Sequence, residues 1–220
     1  MAVPRAHHSL QVAAVVAFLG AMSLLAWKLS KAWTVLLELS AWWVGALVAL
    51  VIAGYVLADF VSGLVHFLGD TFGSERTPVL GKAFIHPFRE HHVDQTAICH
   101  HGFFEVNGNN SLISLPFALL AAWIAPVHPL LAALIFFFLL GILATNQFHK
   151  WAHAPQVPRF VAWLQRRRLI LSPKHHAVHH TPPHDTYFCI TAGWMNPILH
   201  RIGFFPFMRR TLGTVLPAGE

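Results

Sequence analysis

Two runs of histidine carry the strongest chemical signal in the sequence. His149 and His153 stand four residues apart, and His176, His179 and His180 form an H-x-x-H-H run. On a helix, a four-residue spacing places two side chains on one face, about one turn apart. Neutral imidazole is the commonest metal ligand in proteins and suits iron, zinc, copper or nickel. One such pair would more often be a chance feature of a surface, but two runs in one chain predict a metal site.

A second set of polar residues lies within an apolar segment upstream. Asp59, Gly63, His66 and Asp70 follow one another at spacings of four, three and four, so a helix would carry them on one face. An ionisable group inside a membrane helix is costly and normally functional. His66 and Asp70 can reach one metal, whereas Asp59 lies about two turns deeper. We therefore expect Asp59 to orient or support the site, and Gly63 to let another helix approach closely.

The candidate ligands outnumber what one metal needs. His91 and His92 lie within Phe88–Asp94, and His100-His101 follow. A single zinc ion takes four ligands. This many imidazoles and carboxylates therefore favour two metals rather than one.

The composition is typical of a membrane protein. The chain has 220 residues, of which 55% are hydrophobic and 11% charged, and its mean hydropathy is +0.54; such values are rare in soluble domains. The formal charge of +6 is interleaved with apolar spans and forms no stripe, which argues against nucleic acid as a partner. Cys99 and Cys189 form neither a disulfide framework nor a C-x-x-C zinc motif. A metal site would therefore use His with Asp, Glu or Asn.

Four apolar spans predict an all-α integral membrane protein. The spans run from about Ser9 to Trp27, Leu39 to Leu68, Ser111 to Ala125 and Leu130 to Phe148. The third is short and contains Pro116, so it could instead be re-entrant. Lys28, Lys31 and Glu38 predict a polar turn after the first span, and the Asn-rich stretch before the third predicts another.

The distribution of Lys and Arg predicts the topology. With four crossings, both termini and residues 69–110 share one side, and the other side holds only Lys28 and Lys31. The positive-inside rule then places the shared side in the cytoplasm. Nearly every histidine falls there, with His128 as the exception. The predicted architecture is about four transmembrane helices with a histidine-rich cytoplasmic cap, in a bacterial inner membrane or the endoplasmic reticulum.

Two later segments have the composition of interfacial helices. Pro158–Leu171 mixes aromatic and aliphatic residues with Arg166, Arg167 and Arg168. It could lie on the membrane with the arginines toward lipid phosphates, or pack as an ordinary amphipathic helix on the protein. The sequence favours neither reading over the other. Ile202–Met208 predicts a similar interfacial position.

Several ordered motifs resemble one family. They are Ala58-Asp59-Phe60, Ser62-Gly63, His66, Asp70-Thr71, Gly81-Lys82-Ala83-Phe84-Ile85, Pro87-Phe88-Arg89-Glu90-His91-His92, Thr145-Asn146-Gln147, His149-Lys150-Trp151, His153, Lys174-His175-His176, His179-His180, His184, Tyr187-Phe188-Cys189-Ile190-Thr191, Gly193-Trp194 and Asn196. Together they resemble the lipid desaturase family, whose members include plasmanylethanolamine desaturase and a plant chloroplast palmitate desaturase. The resemblance is strongest to the plasmanylethanolamine branch. It covers residues 58–205 of one domain predicted over residues 1–220, and the N-terminal helix, residues 1–38, lies outside it.

The resemblance implies a membrane enzyme with two iron ions (Fe²⁺) that uses O₂ and two external electrons. Its substrate would be a membrane phospholipid, most closely the alkyl ether chain of plasmanylethanolamine, which becomes the vinyl ether of a plasmalogen. The electron donor would be a protein such as cytochrome b5 or ferredoxin. The expected metal ligands are His66, Asp70, His91, His92, His101, His149, His153, His176, His179 and His180. Arg166, Arg167, Arg168 and Asn146 are the expected substrate contacts.

The chain departs from the family pattern at a few positions. His100-His101-Gly102-Phe103 stands where the family usually has Arg-His-Asp-Phe. Gly102 therefore lacks a carboxylate that could support a ligand, and His101 rather than His100 is the expected ligand. Whether His175, His100 or Asn110 also bind metal is left open by the sequence.

Other functions fit part of the pattern. A fatty acyl desaturase or a hydroxylase acting on another phospholipid could use the same residues. A metal-ion transporter also places His and Asp in membrane helices, but its sites lie near the bilayer midplane, where only Asp59 would be found here. A haem protein would need facing His pairs at depth, and the sequence offers none.

Overall fold

The computed structural model describes residues 5–216, with side chains from residue 8 onward. The ends of the predicted 1–220 domain, and the first four residues of the predicted N-terminal helix, lie outside these described residues. Within residues 5–216 the regular elements are all helical, which confirms the all-α prediction. The helices are α1 (Arg5–Leu39), α2 (Trp42–Thr71), α3 (His86–Val93), α4 (Phe103–Ile124), α5 (Pro129–His153), α6 (Arg159–Arg166), α7 (Pro173–His176), α8 (Asn196–Arg201) and α9 (Phe204–Leu212). A π-helical turn (Gly81–Ile85) leads into α3, and a 3₁₀ turn (Ala97–His100) follows it.

Three helices are long and apolar enough to cross a membrane. They are the described part of α1 from His8 to Leu39, together with the whole of α2 and α5. The first and fourth predicted crossings lie within α1 and α5, and the second lies within α2 except that α2 begins at Trp42 rather than Leu39. The third predicted crossing lies within α4, which does not belong to this set of three. Its first half carries Asn107, Asn109, Asn110 and Ser111, which lower its apolar character.

The polar turn predicted at Lys28, Lys31 and Glu38 is wrong, because α1 continues as one helix to Leu39. The charged side chains are accommodated without a break in the backbone. Lys28 Nζ donates a hydrogen bond of 2.8 Å to the carbonyl of Ala122, in the last turn of α4. A cation near a helix C-terminus satisfies a carbonyl that has no partner within the helix. Lys31 Nζ lies 4.1 Å from the ring centroid of Trp27.

The Asn-rich stretch is also helical rather than a turn. Gly102 is the N-cap of α4, and its N–H donates to the Glu105 carboxylate at 3.1 Å. Asn107 Nδ2 donates to the carbonyl of Phe103, and Asn110 Nδ2 donates to the carbonyl of Ile142 at 2.7 Å. These amides find backbone acceptors, so the polar side chains do not end the helix.

The chain divides into two compact units, and the divisions fall inside α2, just before α4 and inside α5. The first unit holds the described residues up to Ala58 together with Gly102–Ala144, and the second holds Asp59–His101 with the residues from Thr145 onward. The core of the first unit contains large and small apolar side chains: Phe18, Met22, Leu25, Leu29, Ala118, Ala121, Ala132, Ala133 and Leu139. That all 220 residues serve one catalytic domain stays a prediction.

Close contact between α2 and α5 in the first unit depends on glycine. A Cβ atom at Gly54 would lie 2.7 Å from both Phe137 Cβ and the backbone nitrogen of Phe138. A Cβ atom at Gly141 would similarly meet Ala58 Cβ, at 2.5 Å. Small residues let membrane helices approach until their backbones touch. Gly45, farther toward the start of α2, has open space at the same position.

Replacing Gly54 by alanine should therefore destabilise the protein. The added methyl group meets backbone atoms that cannot rotate away, and overpacking of this kind costs about 1–3 kcal/mol. The unfolding temperature of the protein purified in detergent should fall for Gly54→Ala. The matched change on the same helix, Gly45→Ala, should leave it unchanged or slightly higher. Equal unfolding temperatures for the two variants would contradict this account of the helix contact.

Candidate metal centre

Four elements of the second unit bring their histidines together. The end of α2 supplies His66 and Asp70, α3 supplies His91 and His92, and the end of α5 supplies His149 and His153. Helix α7 and the turn after it supply His176, His179 and His180. The ligand-capable atoms form two groups, within each of which all atoms lie within 4.8 Å of one another. His91 belongs to both groups, so the two sites adjoin.

The first group consists of five imidazoles: His91, His149, His153, His176 and His180. The Nε2 atom of His176 lies 2.9 Å from that of His149, 3.0 Å from that of His153 and 3.0 Å from that of His180. A neutral imidazole nitrogen has either one hydrogen or one lone pair, so it cannot be bonded to three other nitrogens at once. Ligands about 2.1 Å from one ion and at right angles to each other lie about 3.0 Å apart. The spacing is therefore that of atoms surrounding a metal ion.

The second group consists of His66, His91, His92 and His179, with Asp70 beside them. Asp70 Oδ2 lies 3.0 Å from His92 Nε2 and 3.3 Å from the Nε2 atoms of both His66 and His179. The predicted pairing of His66 with Asp70 on one helix face is confirmed by this geometry. A carboxylate among imidazoles is a donor set that suits iron or zinc.

Unpartnered buried atoms also indicate that these groups could hold metal. His91 is 2% exposed, and neither of its ring nitrogens has a hydrogen-bond partner among the described residues. A buried polar atom without a partner costs about 1–3 kcal/mol. A metal ion at either group would give His91 the partner that the surrounding protein does not provide. The residues present therefore fit metal ions on chemical grounds.

Burial keeps the imidazoles of His91, His176 and His180 uncharged. Desolvation, followed by the neighbouring imidazoles His149 and His92, lowers the pKa of His91 well below its usual value. The same causes lower the pKa of His176, where His149 is the first of the neighbours. Burial, and then His179, lowers the pKa of His180 to about 2. Only the neutral ring has the free lone pair that a metal needs.

Backbone carbonyls orient two of the rings. His66 Nδ1 lies 3.0 Å from the carbonyl of Phe188, and His179 Nδ1 lies 2.9 Å from the carbonyl of Thr186. A carbonyl only accepts, so each Nδ1 must carry the hydrogen and each Nε2 keeps its lone pair toward the second group. Such contacts fix the tautomer and the direction of a ligating imidazole.

Asp59 organises the segment that carries these carbonyls. Its Oδ1 accepts hydrogen bonds from the backbone N–H groups of Thr191, Ala192 and Gly193, at 3.2, 2.8 and 2.8 Å. Its Oδ2 accepts from the N–H of Met195 at 2.9 Å. The side chain is fully buried. The expected supporting role of Asp59 is thus seen directly, since four backbone donors occupy its carboxylate.

Two further contacts hold the chain at Cys189 in place. Asn196 Oδ1 accepts from the N–H of Cys189, and its Nδ2 donates to the carbonyl of Cys189. A Cβ atom at Gly63 would collide with Cys189 Sγ. The prediction that Gly63 admits a neighbouring helix is therefore wrong in one respect: the neighbour is irregular chain. Irregular backbone can approach a helix this closely where its own hydrogen bonds are satisfied by Asp59 and Asn196.

Of the ten predicted ligands, nine lie in or beside the two groups. His101 lies outside both, with an exposed side chain, and its carbonyl accepts from Lys150 Nζ. His100 is also exposed and outside the groups. The roles of these residues as ligands stay predictions.

The residues predicted to contact the substrate are Arg166, Arg167, Arg168 and Asn146. Arg166, Arg167 and Arg168 are exposed. The helix predicted over Pro158–Leu171 is shorter than expected and ends at Arg166, because Arg168 adopts a left-handed backbone conformation, with φ of 56°. Asn146 is half-buried. Their roles in substrate binding also stay predictions.

Several contributors to the site could not be identified from residue types. The carbonyls of Thr186 and Phe188 act through the backbone, which residue types do not reveal. His184 lies with its ring centroid 4.8 Å from that of His92, and its Nδ1 is 3.2 Å from the carbonyl of His179. Its spacing of four residues from His180 is visible in the sequence and could have indicated a position near the site.

An all-helical chain with membrane-length helices and adjoining histidine groups defines a membrane protein with a candidate two-metal centre. A family model described as the lipid desaturase domain matches residues 55–216, so the chain belongs to this family.

Curated relatives agree with this assignment. Over 173 residues, or 76% of this chain, it is 52% identical to a plasmanylethanolamine desaturase of Myxococcus xanthus. It is 48% identical, over 77% of its length, to plasmanylethanolamine desaturase 1 of Mus musculus. A chloroplastic fatty acid desaturase 4 of Arabidopsis thaliana is 35% identical over 67% of the chain. The matched regions span 60%, 66% and 46% of those three relatives. No solved structure gave a significant match.

Asp59→Asn should destabilise the second unit even though it preserves the side-chain volume. An amide in place of Oδ2 would direct N–H hydrogens at the N–H of Met195, and an unpaired buried donor costs about 1–3 kcal/mol. We expect a lower unfolding temperature and a lower yield of folded protein. Glu38→Gln, the same chemical change at an exposed position of α1, serves as the control. An Asp59→Asn protein as stable as this control would refute the supporting role.

Proposed function

We propose that this protein is a membrane di-iron lipid desaturase that converts the alkyl ether chain of plasmanylethanolamine into the vinyl ether of a plasmalogen. The observation that carries the proposal is the pair of adjoining histidine groups sharing His91, in a chain of the lipid desaturase family. The names of the bacterial and mouse relatives support plasmanylethanolamine as the substrate.

The first iron would be held by imidazoles of the first group, and the second by the second group with Asp70. His91 is within reach of either, which makes it the residue through which the two sites are coupled. The carboxylate of Asp70 would offset part of the positive charge of the two metal ions. We also propose His101 as a ligand, as the resemblance to the family implies.

When bound, the two irons would activate O₂ with two electrons from an external donor. The overall reaction consumes O₂, two electrons and two protons, breaks one C–H bond on each of two adjacent carbons, and releases two molecules of water. The protein would keep the imidazoles neutral and fix the orientation of their rings. Phe188 and Thr186 carbonyls turn two of the rings, and burial of the groups keeps bulk water from the reacting carbons.

The position of the groups along the helices supports a reaction near the lipid headgroup. His66 and Asp70 lie in the last turns of α2, and His149 and His153 lie in the last turns of α5. The carbons next to an ether-linked glycerol lie just below the headgroup, at the depth that helix ends reach. We propose four crossings, with α4 as the fourth, and a cytoplasmic metal centre. A donor such as cytochrome b5 or ferredoxin would then approach from the aqueous side.

Lipid contacts are proposed for the exposed basic end of α6. Arg166, Arg167 and Arg168 are exposed there, as are the neighbouring Phe160 and Trp163. A helix with apolar and basic residues on its surface suits the membrane interface. Asn146, on the helix that carries His149, is proposed to contact the polar part of the same lipid.

The second candidate is a fatty acyl desaturase acting on another phospholipid. The 35% identity to the chloroplastic fatty acid desaturase of Arabidopsis thaliana favours it, but less strongly than the higher identities favour the ether lipid. A hydroxylase could use the same groups and would differ in its product. Product analysis distinguishes all three.

The substrate is tested by incubating membranes that contain the protein with alkyl-ether phosphatidylethanolamine, O₂ and a reductant. We expect an acid-labile vinyl ether, because acid releases an aldehyde from that linkage and from no other expected product. Membranes without the protein provide the control. A double bond formed only in the acyl chain would support the second candidate, and a hydroxylated chain would support a hydroxylase.

The metal centre is tested by iron analysis of the purified protein. We expect about two irons per chain, since each group offers enough ligands for one ion. His176→Ala in the first group and His179→Ala in the second should each lower the iron content and abolish product formation. His128→Ala, at an exposed histidine outside both groups, should change neither. One zinc and no iron, or normal turnover of both group variants, would refute the di-iron proposal.

A further inference from the structure

Beside the metal centre, the second unit contains a cavity of about 310 Å³ that the reaction itself does not use. Its lining includes Arg168, Ser172, His175, Gly193 and Trp194. We propose that this cavity binds a phosphate group, and that its occupant is the phosphate of the phospholipid substrate. This proposal rests on the proposed function for the identity of the lipid, but the cavity and its chemistry do not depend on it.

The positive charge of Arg168 in the cavity lining favours the binding of an anion. Arg168 is the charged residue of the lining, and no aspartate or glutamate belongs to it. In the described part of the chain, no ion pair engages the Arg168 guanidinium. The planar guanidinium fork matches two oxygens of one phosphate group and holds them by charge-assisted hydrogen bonds. An arginine that lines a cavity without an acidic partner in the described part of the chain is therefore suited to a phosphate ester.

The backbone holds Arg168 in an uncommon conformation. Its φ is 56°, in the left-handed region that residues other than glycine and asparagine seldom adopt. The indole N–H of Trp194 donates to the Arg168 carbonyl at 2.6 Å, and the Arg168 N–H donates to the carbonyl of Gln165 at 3.0 Å. These two hydrogen bonds hold Arg168 in a backbone conformation that arginine seldom adopts. Strained residues of this kind are common where a ligand is bound.

Polar groups of the lining complete a binding surface. Ser172 Oγ accepts from the His175 N–H at 3.3 Å, which leaves its hydroxyl hydrogen to donate. Asn196 Nδ2 lies 3.2 Å from His175 Nε2, so that nitrogen accepts and the ring hydrogen lies on Nδ1. Gly193 has a φ of 76°, and a Cβ atom there would collide with the His175 ring. The cavity therefore requires glycine at this position.

The cavity adjoins the metal groups through one peptide bond. His175 lines the cavity, and the next residue, His176, belongs to the first histidine group. Consecutive Cα atoms lie only about 3.8 Å apart. In an ether phospholipid, only the glycerol backbone separates the phosphate from the alkyl carbons to be desaturated. Binding the phosphate here would therefore hold those carbons close to the metals.

The test replaces Arg168 by asparagine, which removes the guanidinium but accepts the left-handed conformation. We compare two substrates that differ only in the phosphoethanolamine headgroup: alkyl-ether phosphatidylethanolamine and the phosphate-free alkylacylglycerol. For Arg168→Asn we expect KM for the phospholipid to rise about tenfold, as for loss of a charge-assisted pair. KM for alkylacylglycerol, kcat and iron content should not change. Arg168→Lys should restore part of the affinity, because it keeps a charge but not the fork.

Two arginine controls separate the cavity from general attraction to the membrane. Arg159→Asn, at the other end of α6, should leave KM for both substrates unchanged. Arg167→Asn, which is exposed but does not line the cavity, should raise KM much less than Arg168→Asn. Equal effects at Arg167 and Arg168 would overturn the proposal, since charge near the interface would then suffice. Loss of iron in both Arg168→Asn and Arg168→Lys would overturn it too, because the residue would then be structural.

A binding measurement keeps this test independent of turnover. Binding of a fluorescent ether phospholipid to the purified protein in detergent micelles should weaken about tenfold for Arg168→Asn. Competition by inorganic phosphate in the millimolar range would identify free phosphate as a second occupant; its absence would assign the cavity to the lipid alone. If the wild type binds this lipid through Arg168 but makes no vinyl ether, the proposed reaction fails and the cavity stands. If it makes vinyl ether and the variant binds normally, only the cavity proposal fails.

Discussion

The carboxylate of Asp59 is the constraint on which the second unit depends. It is buried within an apolar helix, where a carboxylate is tolerated only if hydrogen-bond donors surround it. Four backbone N–H groups from the segment between Thr191 and Met195 supply those donors. The requirement is mutual, because that segment is irregular and would otherwise leave its own N–H groups unsatisfied in a buried place. One side chain on α2 thus fixes the course of a loop far away in sequence.

The fixed loop in turn determines how the imidazoles face one another. Just before this loop, the carbonyls of Thr186 and Phe188 set the tautomers of His179 and His66, and Asn196 ties Cys189 to the same framework. The rings then converge so closely that mutual hydrogen bonding cannot satisfy them, and burial lowers the pKa of His176 and His180 so that they stay neutral. A metal ion at these groups would give the lone pairs the partner that the described residues do not supply.

The histidines at the end of α7 and in the turn after it contribute to both histidine groups. His176 and His180 are one helical turn apart and both contribute to the first group, whereas His179 turns to the second. Its neighbour His175 lies 3.2 Å from Asn196 and lines the cavity. In our proposal, residues adjacent in sequence therefore serve metal binding and the recognition of phosphate.

The sequence by itself determined the helical membrane class, the residue types of the metal centre and the pairs that share a helix face. Hydrophobic length and four-residue spacing are local properties, so residue spacing alone was enough to pair His66 with Asp70 and His149 with His153. Polar residues inside helices were misjudged where a distant backbone group accepts their hydrogens, as at Lys28 and Asn110. Only the tertiary structure decided which imidazoles form which group, what Asp59 binds, and which of three adjacent arginines lines a cavity. Those outcomes depend on contacts between segments far apart in sequence, and residue spacing carries no information about such contacts.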